Sequence, residues 1–394
     1  MVMADYKEVS FKDITVELSD GLHAAPKFYP NGDYIFVNAK NIVNGRILDV
    51  DPDKKTSYSE YLKYKIDLDE NTVLYSIDGT IGNVAKYRGE KVVLGKGACY
   101  LKLKPEVDTN YIFFYLQSPQ FKAYIRKMST GSTIRHISLK TMRYHKFSLP
   151  DLLIQKKIAN ILSRIQNKFD TNQQINENLL QQARTIFRKW VSGAADVKYC
   201  LSEIADINTD TYSPKDNWDF VNYLDTSSIT AGTINEVQHI LPMEEKLPSR
   251  ARRILKKGDI VFSTVRPNQL HYGIISNPLP NMLGSTGFAV IHNKIETIPN
   301  EIIYLALIEP SFIEQMQQLA EQSVSTFPSI RPADLDACVI PEPSIEDSNL
   351  IASIKAFFNC MATNSIENKR LADLRDTLLP RLMSGELDVS DLDL

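Results

Sequence analysis

SGAADV (192–197) recurs as SGELDV (384–389), 192 residues further along the chain, with four of the six residues identical. Earlier segments recur in the same order, as when VLYS (73–76) returns as IVFS (260–263) after 187 residues. The offsets of all such matches lie between 187 and 193 residues. Because the matches keep one order along the whole chain, they indicate a duplicated unit.

Each copy of the duplicated unit has two parts. The first part, 1–150 in one copy and 195–343 in the other, alternates strand-like runs with Gly, Asn and Pro turns and a pair of short helices. The second part, 151–194 and 344–394, contains a long helix, because apolar residues recur at helical spacing and neither Pro nor Gly occurs from 152 to 190. We therefore predict an α+β fold of two similar mixed α/β domains, each followed by a long helix.

The long helices carry a heptad spacing that is typical of coiled coils. In the first helix the a positions are Ile158, Ile165, Asn172, Leu179 and Ile186, and Leu162, Phe169, Ala183 and Trp190 each follow an a position by four residues. In the second helix the equivalent positions are Leu350, Phe357, Asn364, Leu371 and Leu378. Each helix therefore has an apolar seam that needs a partner.

The duplication supplies that partner. We expect the two helices to form an antiparallel coiled coil with pseudo-two-fold symmetry, in which Asn172 and Asn364 approach each other at the centre and fix the register. The alternative is that each helix packs on its own domain with these asparagines exposed. Pro380 is expected to kink or end the second helix, and the acidic tail ELDVSDLDL (386–394) is expected to fray.

Charge is divided unevenly along the chain. Residues 1–194 hold 29 Lys and Arg against 20 Asp and Glu, whereas 195–394 hold 16 against 28, which gives the net charge of −3. Any nucleic-acid contact in the second half must therefore come from a local patch. Arg250, Arg252, Arg253, Lys256 and Lys257 form the one dense candidate, with a solvated charged turn as the equal alternative.

Motifs of catalysis and of membrane insertion are missing from the sequence. It contains no phosphate-binding loop, no dinucleotide fingerprint, no methyltransferase Asn-Pro-Pro-aromatic signature and no metal-ligand spacing of His or Cys. The four cysteines are far apart, and neither a signal peptide nor an apolar run of membrane-spanning length is present. We expect a reduced, cytoplasmic protein with no catalytic residues, no metal and no cofactor of its own.

The chain resembles the specificity subunits of type I restriction–modification systems over essentially its whole length. The most specific stretches are LADLRDTLLPRLMSGELDV (371–389), FSLPDLLIQKKIANIL (147–162) and LYSIDGTIGN (74–83). The resemblance implies that each globular part is a target recognition domain that reads one half of a split site on double-stranded DNA. It implies that the helices form a spacer that docks two methyltransferase (modification) subunits, which bind S-adenosylmethionine, and that ATP-dependent restriction subunits complete the enzyme.

Candidate DNA-reading loops occupy equivalent places in the two repeats. They are rich in hydroxyls suited to phosphates and in arginines suited to guanine edges. The candidate DNA-binding residues are Thr80, Asn83, Ser132, Thr133, Arg135 and His136 in the first repeat, and Arg266, Asn268, Ser325, Thr326, Ser329 and Arg331 in the second. For each loop the alternative is an ordinary surface turn.

Two other classes of function stay open at this point. One is a helical scaffold that joins two proteins without reading DNA, and the other is a stand-alone DNA methyltransferase or nuclease with degenerate motifs. The loops repeated in both halves argue against the scaffold, and the missing motifs argue against the enzyme.

Overall fold

The computed structural model describes residues 6–130, 135–193, 198–323, 327–344 and 347–392. Contacts divide the chain into two units. Unit 1 is residues 1–170 with 368–394, and unit 2 is residues 171–367. Each unit therefore contains one globular part together with a portion of each long helix.

The strands of unit 1 are short. In chain order they are β1 (Lys7–Ser10), β2 (Thr15–Asp20), β3 (Tyr34–Val37), β4 (Ile42–Val43), β5 (Arg46–Ile47), β6 (Lys55–Thr56), β7 (Thr72–Ser76), β8 (Val84–Lys86), β9 (Val92–Leu94), β10 (Ala98–Leu103) and β11 (Lys146–Leu149). An antiparallel sheet has the order β2-β10-β7-β8, and a smaller sheet, β6-β3-β9, contains the parallel pair β3 and β9. Strand β1 pairs with β11, which brings the start of the domain beside the residues that enter the long helix.

The strands of unit 2 repeat this arrangement. They are β12 (Lys198–Cys200), β13 (Ala205–Ile207), β14 (Val221–Leu224), β15 (Ile229–Thr230), β16 (Thr233–Ile234), β17 (Gln238–Ile240), β18 (Ala251–Ile254), β19 (Ile260–Ser263), β20 (Tyr272–Ile274), β21 (Met282–Ser285), β22 (Phe288–Asn293) and β23 (Val339–Pro341). The sheet β13-β22-β19-β20 corresponds to β2-β10-β7-β8. Strands β14 and β21 form the parallel pair, and β12 pairs with β23 as β1 does with β11.

The helices follow the same repeat. In chain order they are α1 (Phe11–Ile14), α2 (Tyr58–Tyr64), α3 (Thr109–Tyr115), α4 (Pro119–Met128), α5 (Leu139–Arg143), α6 (Leu152–Gly193), α7 (Leu201–Ile204), α8 (Asn300–Leu307), α9 (Pro310–Glu321) and α10 (Ser348–Met383). Pro119 begins α4 and Pro310 begins α9, where the missing amide hydrogen removes no helical hydrogen bond. Short 3₁₀ helices lie at Ala39–Asn41, Pro214–Asp216, Thr226–Ser228, Pro267–Gln269 and Pro332–Ala337.

Helices α6 and α10 pair in antiparallel orientation. In unit 1, Arg375 Nη1 donates to Gln166 Oε1 over 3.2 Å, and Asn368 Nδ2 donates to the Phe169 carbonyl over 3.3 Å. The residue number of the partner on α10 falls as the residue number on α6 rises, as it does in an antiparallel pair. The heptad residues predicted from the sequence are all buried or half-buried. The predicted α+β class, with repeated domains, long helices and antiparallel pairing, is confirmed.

The two seam asparagines take different partners from the ones expected. In unit 2, Asn172 Nδ2 donates to Glu367 Oε2 over 2.7 Å, and Asn364 Nδ2 donates to Asn176 Oδ1 over 2.8 Å. Each asparagine is therefore displaced by about one helical turn, roughly 5 Å, from the register in which the two lie directly opposite. The two asparagines thus form separate polar pairs with Glu367 and Asn176, and their close approach at the centre stays a prediction. The shift has a chemical reason, because a carboxylate is a stronger acceptor for an amide than another amide.

The C-terminal segment corrects one further expectation. Pro380 lies inside α10, which ends one turn later at Met383, as expected for a helix-breaking residue. The tail, however, is packed as far as Ser390 rather than frayed, whereas Leu392 is exposed. Val389 is 4% exposed within the unit 1 core, and Lys157 Nζ donates to the Ser390 carbonyl over 2.6 Å. The apolar side chains of Leu387 and Val389, not the surrounding acids, decide how this tail behaves.

Candidate nucleic-acid interface

In unit 1, two of the candidate loops lie side by side beyond the end of β7. The Ile137 amide donates to the Ile77 carbonyl over 2.9 Å, and the Gly79 amide donates to the Arg135 carbonyl over 3.3 Å. Between these bonds, Asp78 and His136 form a single antiparallel bridge. We call segments 77–79 and 135–137 the loop pair of unit 1. It brings the turn that carries Thr80 next to the segment that carries Arg135.

The candidate DNA-binding side chains of unit 1 differ in their exposure and in their hydrogen bonds within the protein. Thr80 and Arg135 are exposed, whereas His136 is half-buried and exchanges two backbone hydrogen bonds with Thr130. Asn83 is half-buried and closes the turn, because its amide hydrogen bonds to Ser76 Oγ over 2.8 Å. The predicted residues Ser132 and Thr133 lie outside the described residues.

Unit 2 builds the same loop pair from segments 264–266 and 328–330. The Ile330 amide donates to the Thr264 carbonyl over 2.9 Å, the Arg266 amide donates to the Pro328 carbonyl over 3.0 Å, and Val265 bridges Ser329. The offsets between the two loop pairs are 187 residues for the first segment and 193 for the second. These are the offsets at which the sequence repeats there. The loop pair is therefore a structural feature of the duplicated unit rather than a chance turn.

The family comparison follows these two loop pairs. The family model described as "Type I restriction modification DNA specificity domain" matches residues 3–181 and 196–375. The chain belongs to this family. It carries two copies of the specificity domain, and each copy contains one loop pair.

Curated relatives and a solved structure are similar over nearly their whole lengths. The HindI specificity subunit of Haemophilus influenzae is 21% identical over 477 residues, covering 98% of this chain and 100% of the relative. The MjaVIII specificity subunit of Methanocaldococcus jannaschii is 25% identical over 434 residues, covering 100% and 99%. The crystal structure of the S subunit of a type I restriction–modification system from M. genitalium matches with a TM-score of 0.58 at 16% identity, covering 99% and 98%. That structure shows the same fold.

The candidate residues of the second specificity domain fall into two groups. Arg266 and Asn268 are exposed on the turn that follows β19, where the Asn268 amide donates to Gln317 Oε1 over 3.2 Å. Ser329 is half-buried within the loop pair, and its amide donates to Ser323 Oγ over 3.3 Å. The predicted residues Ser325 and Thr326 lie outside the described residues.

The guanidinium of Arg331 is held by a carboxylate. Its Nη2 lies 2.7 Å from Asp334 Oδ1, and its backbone amide donates to Asp334 Oδ2 over 2.7 Å at the start of a 3₁₀ helix. The hydrogen bonds from Arg331 hold the pKa of the Asp334 carboxyl below its usual value. The guanidinium is nevertheless exposed, and such surface pairs contribute little stability.

The dense cationic patch is partly neutralised. Arg252 and Arg253 lie half-buried on β18, and burial lowers the pKa of the Arg253 guanidinium. Lys256 Nζ lies 3.0 Å from Asp210 Oδ2. Arg250 and Lys257 are exposed. The solvated-turn interpretation thus gains support for part of the patch.

One aromatic residue of the second specificity domain was not singled out from the sequence. Phe327 is 54% exposed, and the Arg266 guanidinium lies 5.3 Å from the centre of its ring. The sequence signal that could have identified it was a phenylalanine among Ser, Thr and Pro in a predicted DNA-reading loop, where a large apolar side chain is expected to be exposed.

The described residues contain neither a metal-binding cluster nor a membrane-spanning helix. Within the described ranges, no group of three or more His, Cys, Asp and Glu side chains is placed to hold a metal ion. No helix in the same ranges has the length and apolar character needed to cross a bilayer.

Proposed function

We propose that this chain is the non-catalytic specificity subunit of a type I restriction–modification complex, and that each specificity domain reads one half of a bipartite DNA site. The observation that carries the proposal is the loop pair, built by the same hydrogen bonds in both units. A duplicated reading element suits a split site on a duplex, because each copy meets an equivalent groove.

The chemistry of the loop pairs suits a DNA duplex. Exposed Arg135 and Arg266 carry the planar donor set that binds the two acceptor atoms of guanine in the major groove. Thr80 supplies a hydroxyl and Asn268 an amide, both exposed, that suit phosphate oxygens. Residues 1–150 and 195–343 are the proposed reading modules, and the helices of 151–194 and 344–394 are the proposed spacer.

Protein partners are proposed for the helices. Ile175 and Ile366 of unit 2 are 39% and 40% exposed on α6 and α10, and Leu374 of unit 1 is 46% exposed. Large apolar side chains on a solvent-facing helix surface favour a protein contact. We propose that two methyltransferase subunits dock here and supply the S-adenosylmethionine chemistry, with restriction subunits joining the full complex.

The test is to express the chain with its methyltransferase partner and to sequence the methylated sites in host DNA. We expect one two-part motif that is present only when this chain is present. Cells that express the partner alone are the matched control. A motif that persists without the chain, or a partner that never co-purifies with it, would contradict the proposal and favour the enzyme or scaffold alternatives.

A further inference from the structure

Arg266 has a backbone conformation that is costly for its residue type. Its φ is +48°, in the left-handed region, where a Cβ atom is crowded. The loop pair aligns it with Gly79 of unit 1, whose φ is +69°. Both amides donate to the equivalent carbonyl of the partner segment, that of Pro328 or of Arg135. Unit 1 thus has glycine where the backbone demands it, whereas unit 2 keeps a strained arginine. Strain of this kind is concentrated at functional positions.

A side chain at this position lies outside the core of its domain. A Cβ built on Gly79 meets nothing within 4 Å. Arg266 itself is exposed. The strain at Arg266 is therefore not explained by core packing. It places an exposed guanidinium beside the reading loop.

Phe327 limits the positions that this guanidinium can take. The Arg266 Cζ atom lies 5.3 Å from the centre of the Phe327 ring, within the range of a cation–π contact. The ring and the left-handed backbone together restrict a side chain that would otherwise lose much rotamer freedom on binding. Such preorganisation favours selectivity between bases.

Arg331, the other candidate arginine of unit 2, occupies a different kind of position. An offset of 193 residues aligns it with Ser138, whose Oγ accepts from the Thr141 amide and caps α5. Arg331 likewise stands at the start of a 3₁₀ helix, and its guanidinium contacts Asp334. Its position in the repeat is that of a cap.

We propose that Arg266, held by Phe327, reads a guanine in the second half-site, and that its counterpart in the first half-site is Arg135 on the opposite segment of the loop pair. This inference rests on the proposed function. The two domains then read DNA with arginines that come from different segments of the same loop pair. Both units retain the loop pair, but the arginine that reads the base lies on the first segment in unit 2 and on the second segment in unit 1.

The experiment uses the full chain assembled with its methyltransferase partner. Arg266→Gly is the main variant, because glycine already occupies the equivalent position of unit 1 and relieves the strain. Its thermal midpoint is expected to equal or exceed that of the wild type, so that a loss of function is not a loss of folding. Binding is measured on duplexes permuted at each base of both half-sites, and the whole set is repeated at several salt concentrations.

Arg266→Gly is expected to lower discrimination about 5- to 150-fold at one guanine of the second half-site and to leave the first half-site unchanged. Arg135→Ala is expected to do the converse. Arg266→Lys keeps the charge but not the paired donors, and should lose most of the base preference. Phe327→Ala should lose part of the preference, whereas Phe327→Tyr keeps the ring and should retain it.

Three outcomes would overturn the inference. The first is an unchanged second half-site in Arg266→Gly. The second is relaxation by Arg331→Ala in place of Arg266→Gly. The third is a uniform loss across all sequences with a shallower salt dependence, which marks a phosphate contact. A wild-type complex with no two-part motif would instead contradict the proposed function itself.

Discussion

Lowering the pH from 7.5 to 5 is expected to loosen unit 1 around His145. This imidazole is 7% exposed, lies tilted against the Tyr124 ring of α4 with 4.1 Å between the ring centres, and contacts Phe11 and Phe121. Its Nε2 hydrogen bonds to the Tyr115 hydroxyl over 2.8 Å, whereas Nδ1 is buried with no hydrogen-bond partner among the described residues. A protonated ring would therefore hold a charge and an unpaired donor in an aromatic cluster.

Burial accordingly lowers the pKa of His145 from 6.5 to about 4. Below pH 6.5 the unfolded chain takes up a proton at this residue that the folded chain does not bind until about pH 4. The free energy of unfolding therefore falls as the pH falls through this window. A lowering of this size corresponds to about 2 kcal/mol at pH 5, and solvent screening reduces the expected loss to about 1 kcal/mol.

Hydrogen-exchange mass spectrometry measures this loss locally. After correction for the intrinsic pH dependence, peptides from α4, α5 and β11 should exchange roughly 5-fold faster at pH 5 than at pH 7.5, the factor that corresponds to about 1 kcal/mol. Peptides around Cys338, which stands at the equivalent position of unit 2, are the internal control. His145→Phe should abolish the difference. An imidazole that titrates near pH 6.5 in NMR, or an equal loss of protection in both units, would refute the reasoning.

Three further predictions concern the helices and the chemistry. A double-mutant cycle on the free energy of unfolding should give a coupling of about 1.5–3 kcal/mol for Asn172 with Glu367, and about 0.5–1.5 kcal/mol for the neutral pair of Asn176 with Asn364; equal couplings would mean that the carboxylate adds nothing. Inserting four residues into both helices, after Asp170 and after Glu367, should widen the gap in the methylated motif by one or two base pairs without changing the bases; an unchanged gap would show that helix length does not set it. The purified chain alone should neither methylate DNA with S-adenosylmethionine nor cleave it with Mg²⁺, and turnover that co-elutes with the chain would contradict the non-catalytic assignment.

The repeat could be predicted from the sequence because the two copies keep the same pattern of strands and turns where their individual residues differ. VLYS and IVFS differ in three of four residues, yet both form the strand from which a loop pair begins. The heptad spacing predicted the pairing of α6 with α10 for a similar reason, since an apolar seam specifies a partner face, and the family resemblance implied the antiparallel orientation.

Other features depend on contacts between residues that are distant in the sequence. The parallel pairing of β3 with β9 joins segments about 57 residues apart, and no local sequence pattern predicts it. The pairing of Asn172 with Glu367 was not predicted, because the sequence pattern does not show which of several nearby polar groups accepts the hydrogen bond, and a carboxylate is the stronger acceptor. The strained backbone of Arg266 has no signature in its residue type.

The central claim is that each specificity domain reads its own half of the DNA site. The most direct measurement replaces residues 1–150 with the corresponding part of a relative that directs a different methylated motif, and then sequences the methylated sites made by the assembled complex. The account predicts that one half of the motif changes to that of the donor, while the other half and the gap between them stay as before. A change in both halves, or in neither, would contradict it.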